Sequence, residues 1–365
     1  MRNILIHGEN SLAMQWLLQE RGLQGAVDLV YIDPLFATKN TFTASEDRSA
    51  TISASRQSAI AYADNRTGQD FLNFLRERII LIYKLLSERG SLYLHTDYKI
   101  GHYVKVMLDE VFGSENFRND IARVKCNPKN FARVGYGNIK DMILFYTKGN
   151  NPIWNEPFEA YSEEDIATLF PKVNAQGRRY TTVSIHAPGE TINGKSSEPF
   201  LGMLPPKGRH WRTDVATLEK WDKEGLIEWS GNGNPRKIIF ADEREGKRIQ
   251  DIWELKDPQY PTYPTEKNAE ILHRIIAASS RPESIVMDCF CGSGTTLKAS
   301  HELGRKWTGI DESPLAIDAA KKKLGLAEVH LFADAPEYEY HETHTSLTSA
   351  TMPNKEIFAS ERTTL

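Results

Sequence analysis

The sequence predicts an α/β fold in which helices cover a mostly parallel sheet and an irregular insertion interrupts the chain. Two observations favour this fold. Short β-rich apolar runs alternate with amphipathic helical segments in both the first and the last part of the chain, which is the rhythm of parallel strands joined by helical crossovers. Between them, residues 152–250 contain many Pro and Gly residues and scattered Trp residues without a sustained period.

The first half of the predicted sheet comes from residues 1–150. The run VDLVYI at 27–32 is β-rich and ends where Asp33 and Pro34 follow. Residues 71–86 give the strongest helix prediction, because their apolar positions recur every three or four residues. The predicted elements of this half are strands at 4–7, 27–32, 91–95 and 141–147, and helices at 11–20, 71–86 and 102–112.

The second half of the predicted sheet comes from residues 251–330, after an inserted region at 151–250. Its predicted elements are strands at 284–288 and 307–310, and helices at 267–278, 295–303 and 314–324. Residues 40–69 are polar and rich in Ser and Thr, so we expect a long loop there. Residues 331–365 are predicted to form a loose polar tail, rich in Ser, Thr and Glu from about residue 336.

Composition narrows the class of protein. The 45 Lys and Arg residues nearly balance the 49 Asp and Glu residues, giving a net charge of −4, which neither requires nor forbids a nucleic-acid partner. No run approaches the roughly 18 apolar residues of a membrane span, and no signal-peptide pattern opens the chain. Three cysteines without zinc-ligand spacing predict no metal site and a reduced, cytoplasmic protein.

A glycine loop follows the predicted strand at 284–288. Gly292 and Gly294 allow a ligand to approach the backbone closely, and the next helix offers free N–H groups. The dinucleotide fingerprint requires a third glycine where Leu297 stands, so a pyrophosphate is disfavoured. Asp311, after the next strand, suits two ribose hydroxyls, and together these features favour S-adenosylmethionine. The alternative is a tight strand–helix turn that binds nothing.

A second candidate site follows the strand at 27–32. Asp33 and the carbonyl oxygen of Pro34 could accept hydrogen bonds from an exocyclic NH2 group, while Phe36 could stack on a planar base. The alternative is an aspartate that caps a turn, with Phe36 in the core. In an open parallel sheet both strand ends face the same site.

These residues resemble the β group of amino-group DNA methyltransferases. That group has an early D/N/S-P-P-Y/F/W motif, then a target-recognition domain, then a late F-x-G-x-G loop. Here Asp33-Pro34-Leu35-Phe36 comes early and Phe290-Cys291-Gly292-Ser293-Gly294 late. Three further stretches are similar to family motifs: Gly8-Glu9-Asn10, Leu108 to Phe117, and Tyr263-Pro264-Thr265-Glu266-Lys267. Together in this permuted order the motifs are highly specific.

The resemblance implies a Rossmann-like, S-adenosylmethionine-dependent methyltransferase sheet. Residues 1–150 would be its catalytic half, 151–250 a target-recognition region and 251–330 its cofactor-binding half. The implied catalytic residues are Asp33, Pro34 and Phe36. The implied cofactor-binding residues are Asp288, Phe290, Gly292, Gly294, Thr295, Thr296, Asp311, Thr265, Lys267, Glu9 and Asn10.

The chemistry of the target base follows from the same motif. Carbon-5 cytosine methylation would need a Pro-Cys pair, which the chain lacks. The aspartate at position 33 favours adenine-N6, since relatives that act on cytosine-N4 more often have Ser there. A cytosine-N4 enzyme remains the alternative, as does a DNA-binding protein without catalysis, which Leu35 in place of the second Pro would explain. A nicotinamide oxidoreductase is disfavoured by Leu297.

The expected partner is double-stranded DNA, with the target base flipped out of the duplex. Two basic stretches could contact phosphates: Arg118, Arg123, Lys125, Lys129, Arg133, Lys140 and Lys148, and Lys172, Arg178, Arg179, Lys195, Lys207, Arg209 and Arg212. A homodimer and a cognate restriction endonuclease are further candidate partners. We expect the 40–69 loop to be mobile without DNA and to close over the flipped base.

Overall fold

The structure is a computed structural model and describes residues 2–34, 41–44, 50–51, 59–63, 68–128, 134–191, 193–257, 267–326 and 337–343. The chain divides into two compact units. The first comprises residues 1–156 and 250–365, and the second is the inserted segment Pro157–Ile249. Among the described residues, no helix is both long and apolar enough to cross a membrane.

Twenty strands and eight helices lie within the described residues. The strands are β1 (Asn3–His7), β2 (Val27–Ile32), β3 (Thr41–Ala44), β4 (Ala50–Thr51), β5 (Ala59–Ala63), β6 (Leu86–Thr96), β7 (Phe117–Val124), β8 (Lys140–Thr147), β9 (Phe158–Glu159), β10 (Lys172–Val173), β11 (Arg179–Ser184), β12 (His186–Pro188), β13 (Arg209–Trp211), β14 (Ile227–Trp229), β15 (Pro235–Phe240), β16 (Lys247–Arg248), β17 (Ile252–Trp253), β18 (Ile285–Asp288), β19 (Lys306–Asp311) and β20 (Tyr338–Glu342). The helices are α1 (Asn10–Gln19), α2 (Gln69–Leu85), α3 (Gly101–Phe112), α4 (Glu163–Leu169), α5 (Val215–Lys223), α6 (Ala269–Ser279), α7 (Thr295–Glu302) and α8 (Pro314–Lys323).

The first unit contains a nine-stranded sheet with the order β17-β7-β8-β6-β2-β18-β19-β1-β20. Every neighbouring pair is parallel except β6–β8 and β7–β8, so β8 is the one antiparallel strand of this sheet. The expected α/β fold with a Rossmann-like, mostly parallel sheet is confirmed.

Helices pack on both faces of this sheet because its central strands are apolar on both sides. Strand β1 illustrates the alternation: Ile4 and Ile6 join the core beneath α1, α2 and α3, whereas Leu5 joins the core beneath α7 and α8. All three side chains are fully buried. Burying one such side chain contributes roughly 1.5–3 kcal/mol to stability.

Two sequence-based expectations about elements were wrong, and one strand was not predicted. Residues 40–69 contain the small antiparallel sheet β4-β3-β5 and the start of α2 rather than one loop. Strand β20 lies in the stretch expected to be a loose tail and pairs with β1 in parallel. Strand β7 was not predicted, because its exposed residues such as Asn119 and Asp120 interrupt the apolar pattern.

The second unit is less irregular than the sequence suggested. It contains the four-stranded antiparallel sheet β10-β11-β15-β14 and two smaller strand pairs, β12–β13 and β9–β16. Its core consists of Ile185, Phe200, Trp211, Val215 and Leu218. Trp211 is fully buried and donates its indole N–H to the carbonyl oxygen of Glu198.

Candidate functional site

Acidic side chains end five adjacent strands of the large sheet. Because the strands β6, β2, β18, β19 and β1 are parallel, their carboxyl ends meet at one edge. The acids at this edge, in strand order, are Asp97, Asp33, Asp288, Asp311 and Glu9. The sequence analysis predicted the last four as site residues, and the sheet places them side by side.

The glycine loop after β18 is built around Asp288, which is buried. One carboxylate oxygen of Asp288 accepts a hydrogen bond from the Thr296 hydroxyl at 2.5 Å, and the other accepts one from the backbone N–H of Phe290 at 3.0 Å. Burial raises the pKa of Asp288 to about 7, although these hydrogen bonds oppose the change. The loop is therefore folded back on the strand that it follows.

Asp311 connects this loop to β19. Its carboxylate accepts the backbone N–H of Gly292 at 2.8 Å and that of Ser313 at 2.9 Å. Burial raises the pKa of Asp311 to about 6, and the two backbone hydrogen bonds oppose the rise. A carboxylate has about four acceptor positions, so two backbone donors leave room for hydroxyl groups of a ligand.

Gly294 lies at the start of α7, where backbone and neighbouring helix leave no space for a side chain. Its φ of +77° is in the left-handed region. A Cβ atom at this position would lie 2.9 Å from the Cβ atom of Ala320 on α8. Beside it, Lys323 donates to the hydroxyls of Ser293 and Thr295, both at 2.9 Å. Thr295 thus contributes to holding the loop against α8.

Glu9 and Asn10, predicted from the sequence, meet Arg78, which the sequence analysis missed. Glu9 caps α1 by accepting the backbone N–H of Leu12, and it forms an ion pair with Arg78. Asn10 accepts a hydrogen bond from Arg78 at 2.6 Å and donates to the Cys289 carbonyl oxygen at 3.0 Å. The sequence did contain a signal for Arg78, because this arginine lies on the apolar face of α2 together with residues 71, 75 and 82.

The environment of Glu9 keeps its carboxyl group ionised. Burial opposes ionisation, but the hydrogen bonds from Ser11 and Leu12 and the charge of Arg78 lower the pKa of Glu9. Arg78 also lies over the ring of Phe74, which contacts the predicted site residue Phe290 edge to face at 6.3 Å. Arg78 therefore joins α2, the β1–α1 corner and the glycine loop.

Asp33 ends β2, and Pro34 after it is buried. The Asp33 side chain is 18% exposed, and one of its carboxylate oxygens, Oδ2, lies 3.1 Å from the ammonium nitrogen of Lys267. Lys267 was predicted to bind the cofactor, but in the structure its ammonium group forms an ion pair with Asp33. Leu35, Phe36 and Thr265 lie outside the described residues.

Near Asp33 and Lys267 lies a cluster of charged side chains that was not predicted from the sequence as part of the site. Asp141, at the start of β8, is 2% exposed and pairs with Lys125 at 2.6 Å and with Arg123 at 3.5 Å. Arg123 also pairs with Asp257 at 2.5 Å. Arg123 is fully buried, so the expectation that it contacts phosphates was wrong.

Tyr31 and His95 complete this buried region. The hydroxyl of Tyr31 lies 3.0 Å from Nδ1 of His95, and Nε2 of His95 lies 3.3 Å from Oδ2 of Asp141. Burial and the nearby charge of Lys267 lower the pKa of His95, so its ring is neutral. Its partners fit the tautomer in which Nε2–H donates to Asp141 and Nδ1 accepts from Tyr31.

A groove of about 640 Å³ opens beside the ends of β6 and β7. Tyr98, Val124, Tyr136, Lys140 and Ile252 are among the residues that line it. Tyr136 is fully exposed and Lys140 is also exposed. Among the described residues of the first basic stretch, Lys140 lies at the surface, whereas Lys148 pairs with Glu88 and donates to the Leu86 carbonyl oxygen. Lys129 and Arg133 of this stretch lie outside the described residues.

The second basic stretch lies in the second unit and separates into two groups. Lys172 and Arg178 are bound to carboxylates, Lys172 to Glu228 and Arg178 to Asp242 and Glu243. Arg209 and Arg212 are exposed and, with Arg236, surround His186. Partial burial and these three positive charges lower the pKa of His186.

Comparison with known proteins identifies the family. The sequence pattern of the DNA methylase family matches residues 27–322. The type II methyltransferase M.EcaI of Enterobacter cloacae is 37% identical over 355 residues, which cover 96% of this chain and 73% of that protein. The type II methyltransferase M1.MboII of Moraxella bovis is 39% identical over 262 residues, covering 72% of this chain and 82% of that protein.

Among solved structures, the M1.HpyAVI–SAM complex is similar with 18% identity and a TM-score of 0.48, covering 88% of this chain and 100% of that one. The family assignment rests on the sequence matches, which span most of the chain. The chain therefore belongs to the N6/N4 family of DNA methylases and is a site-specific DNA methyltransferase.

Proposed function

We propose that this protein transfers a methyl group from S-adenosylmethionine to the exocyclic N6 of adenine in duplex DNA. One observation carries the proposal: the largely buried Asp33 ends the strand directly beside β18, whose end carries the glycine loop. A base held by Asp33 and a cofactor held by the loop would thus approach each other at adjacent strand ends.

The cofactor side of the proposed site offers the acceptor groups that S-adenosylmethionine requires. This molecule combines positive charge with two ribose hydroxyls, and the edge offers the carboxylates of Asp288, Asp311 and Glu9. Gly292 and Gly294 both have positive φ, which allows the tight turn of the loop, and the missing side chain of Gly294 lets the loop pack against α8. When bound, S-adenosylmethionine supplies an electrophilic methyl group.

We assign the cofactor side of the site to two groups of residues. Asp288, Phe290, Gly292, Gly294, Thr295, Thr296 and Asp311 form or support the loop itself. Glu9 and Asn10 position the neighbouring corner through Arg78 and the Cys289 carbonyl oxygen. Thr265 remains assigned to this side by the family motif alone.

On the target side, Asp33 and the Pro34 carbonyl oxygen would accept the two hydrogens of the amino group. An aromatic amino nitrogen is a poor nucleophile because its lone pair is delocalised into the ring. Holding both N–H groups favours a tetrahedral nitrogen whose lone pair points at the methyl group. Positioning and electrostatics would then supply most of the rate enhancement, with Phe36 stacking on the base.

The base must leave the duplex to reach Asp33, since its amino group is otherwise paired and stacked. We infer that the groove beside β6 and β7 lies along the DNA, because exposed Tyr98, Tyr136 and Lys140 offer aromatic faces and a cation there. The residue 40–69 segment, which follows the Asp33 motif directly in the chain, is proposed to close over the flipped base.

The biological setting follows from the relatives. M.EcaI and M1.MboII are named type II methyltransferases, and we infer that this enzyme protects DNA beside an endonuclease that recognises the same site. The second unit, Pro157–Ile249, is proposed to carry target recognition. A homodimer is proposed on the family resemblance.

Product identification tests the proposal. Unmethylated genomic DNA is incubated with the protein and labelled S-adenosylmethionine, digested to nucleosides and analysed by mass spectrometry. We expect N6-methyladenine from the wild type and none from Asp33→Ala. N4-methylcytosine would keep the mechanism and change the base, whereas cofactor binding without any methylated product would make the protein a non-catalytic DNA-binding relative.

A further inference from the structure

Lys267 is the cation closest to the proposed catalytic carboxylate among the described ion pairs. Its ammonium nitrogen lies 3.1 Å from Oδ2 of Asp33, and both side chains are largely buried, with exposed fractions of 13% and 18%. Burial would lower the pKa of Lys267, but the carboxylates of Asp33, Asp257 and Asp141 raise it above the usual value. Lys267 therefore stays protonated, with its positive charge stabilised by these carboxylates.

Among the residues that the structure describes, the ion-paired charges around Lys267 balance. Asp33, Asp141 and Asp257 supply three negative charges, and Lys267, Arg123 and Lys125 supply three positive ones. They come from five places: the ends of β2 and β7, the start of β8, and the segments after β17 and before α6. Removing one buried charge from such a set leaves an uncompensated partner, which is costly.

The neutral groups fix the same region. His95 is fully buried between Tyr31 and Asp141, within hydrogen-bond distance of both. Hydrogen bonds from His95 and Lys125 and the charge of Lys267 lower the pKa of Asp141, although burial opposes this. Tyr31 stays protonated, because burial and the carboxylates of Asp33 and Asp288 raise its pKa.

We propose that Lys267 is a positioning residue of the methyl-transfer reaction that acts on the target-base side rather than on the cofactor. This inference rests on the proposed function of Asp33. Lys267 holds Oδ2 of Asp33, so the carboxylate cannot rotate freely and presents Oδ1 to the amino hydrogen of the base. Arg123, Asp141 and His95 hold the surrounding charges in place.

The physical reason is geometric. A hydrogen-bond acceptor that activates an amino group must keep its angle to the nitrogen while the methyl group approaches. A misplacement of about 1 Å can cost on the order of 10²-fold in rate. We expect the loss in the transfer step, because Lys267 pairs with Asp33 on the target-base side, whereas the glycine loop is held by hydrogen bonds to Asp288 and Asp311.

Two substitutions of Lys267 and one matched control test this. Lys267→Met removes the positive charge. Lys267→Arg keeps the charge but presents it through a planar guanidinium group, whose N–H donors point in different directions from those of an ammonium group. The control is Lys306→Met. It removes a lysine that pairs with Glu283 where strand β19 begins, at the other end of the parallel strands from Asp33. The measurements are the single-turnover rate at saturating DNA and S-adenosylmethionine, and the dissociation constant for S-adenosylmethionine without DNA.

We expect Lys267→Met to lower the single-turnover rate about 10²-fold and to leave the cofactor dissociation constant within about threefold of wild type, a 0.65 kcal/mol change. Lys267→Arg should fold normally, retain cofactor affinity and transfer at an intermediate rate, and Lys306→Met should match the wild type. The Arg variant keeps the test decisive if the Met variant is poorly folded.

Three results would overturn the proposal. A Lys267→Met or Lys267→Arg enzyme that transfers as fast as Lys306→Met would remove the positioning role. A variant with weakened cofactor binding and an unchanged saturated rate would place Lys267 on the cofactor side. A wild type without transfer activity would overturn the proposed function itself, which distinguishes that failure from a failure of this inference alone.

Discussion

Asp288 makes the stability of the protein depend on pH. Its folded-state pKa of about 7 lies above the value of about 3.9 for an unfolded aspartate. The folded state therefore binds more protons than the unfolded state between these values. The contribution of Asp288 is fully present below about pH 4 and is lost as pH rises through about 7.

This predicts a pH-dependent difference between wild type and Asp288→Asn. Each unit of raised pKa corresponds to about 1.4 kcal/mol, so the wild type should lose stability relative to the variant by a few kcal/mol between pH 4 and pH 7.5. Denaturant unfolding of both proteins at a series of pH values measures this difference. Parallel stability curves for the two proteins would contradict the raised pKa of Asp288.

Arg123 should matter more for stability than a surface arginine. Arg123→Met removes the fully buried cation that pairs with Asp141 and Asp257. Breaking a buried ion pair by removing one partner costs about 3–5 kcal/mol of stability. Arg76→Met, which removes the exposed pair with Glu110, is the matched control and should change stability by less than about 1 kcal/mol. Equal midpoints of urea unfolding for the two variants would show that the buried cluster does not stabilise the fold.

Single residues were predictable where a short motif carried them. Asp33, Asp288 and Asp311 follow β-rich runs, and the sheet places them at one edge as expected. Arg78 and Lys267 have contacts 69 and 234 positions away in the sequence, in Glu9 and Asp33. No local pattern encodes such pairings, so the ion pair between Lys267 and Asp33 could be seen only in the structure.

At the scale of elements, the junction between the glycine loop and α7 depends on the absence of a side chain at Gly294. Gly294→Ala would add the strain of a positive φ and a collision with Ala320. Gly304→Ala is a close control, because its φ is +73° and nothing lies within 4 Å of the added Cβ atom. Both variants suffer the φ strain of about 1–2 kcal/mol, and only Gly294→Ala suffers the collision.

We expect Gly294→Ala to be less stable than Gly304→Ala by about 1–3 kcal/mol and to bind S-adenosylmethionine at least about tenfold more weakly, which corresponds to 1.4 kcal/mol. Gly304→Ala should keep wild-type affinity for the cofactor. Thermal unfolding and calorimetric titration measure both quantities. Equal cofactor affinities for the two variants would show that the glycine loop is not part of the cofactor-binding site.

Elements were predictable when an apolar period marked them. The strand at 27–32 and helix α2 have clear periods and were found within two residues of the expected bounds. Strands β3 to β5 and β20 were missed, because the 40–69 segment and the C-terminal stretch are polar in sequence. Such strands are held by backbone pairing with a neighbour that the local sequence does not reveal.

At the scale of the whole molecule, the exposed cations of the second unit predict how the protein holds DNA. Arg209 and Arg212 lie at the surface near Arg236 and His186, whereas Arg178 is engaged by Asp242 and Glu243. We predict that Arg209→Gln with Arg212→Gln weakens DNA binding and lowers the slope of log affinity against log salt by about 0.9 for each lost phosphate contact.

Arg178→Gln is the control for this experiment and should leave the salt slope unchanged. Fluorescence anisotropy with labelled duplex at several salt concentrations measures both. Cofactor affinity should stay at the wild-type value in all variants, because the substitutions lie in the second unit and the glycine loop in the first. An unchanged slope for the double variant would exclude these arginines from the DNA interface.

The order of the motifs made the family recognisable from the sequence, and the match over residues 27–322 confirms it. The fold class followed from the alternation of strands and helices, which the nine-stranded sheet bears out. The base pairs that the protein reads could not be predicted, since base contacts depend on how individual side chains meet a bound DNA partner.

We propose that Asp33 acts in methyl transfer, whereas the glycine loop separately holds the cofactor. The single-turnover transfer rate of Asp33→Ala on DNA, measured at saturating S-adenosylmethionine, is the most direct test. We predict a fall of at least about 10²-fold with the cofactor dissociation constant within about threefold of wild type. Transfer at the wild-type rate by Asp33→Ala would contradict this role of Asp33.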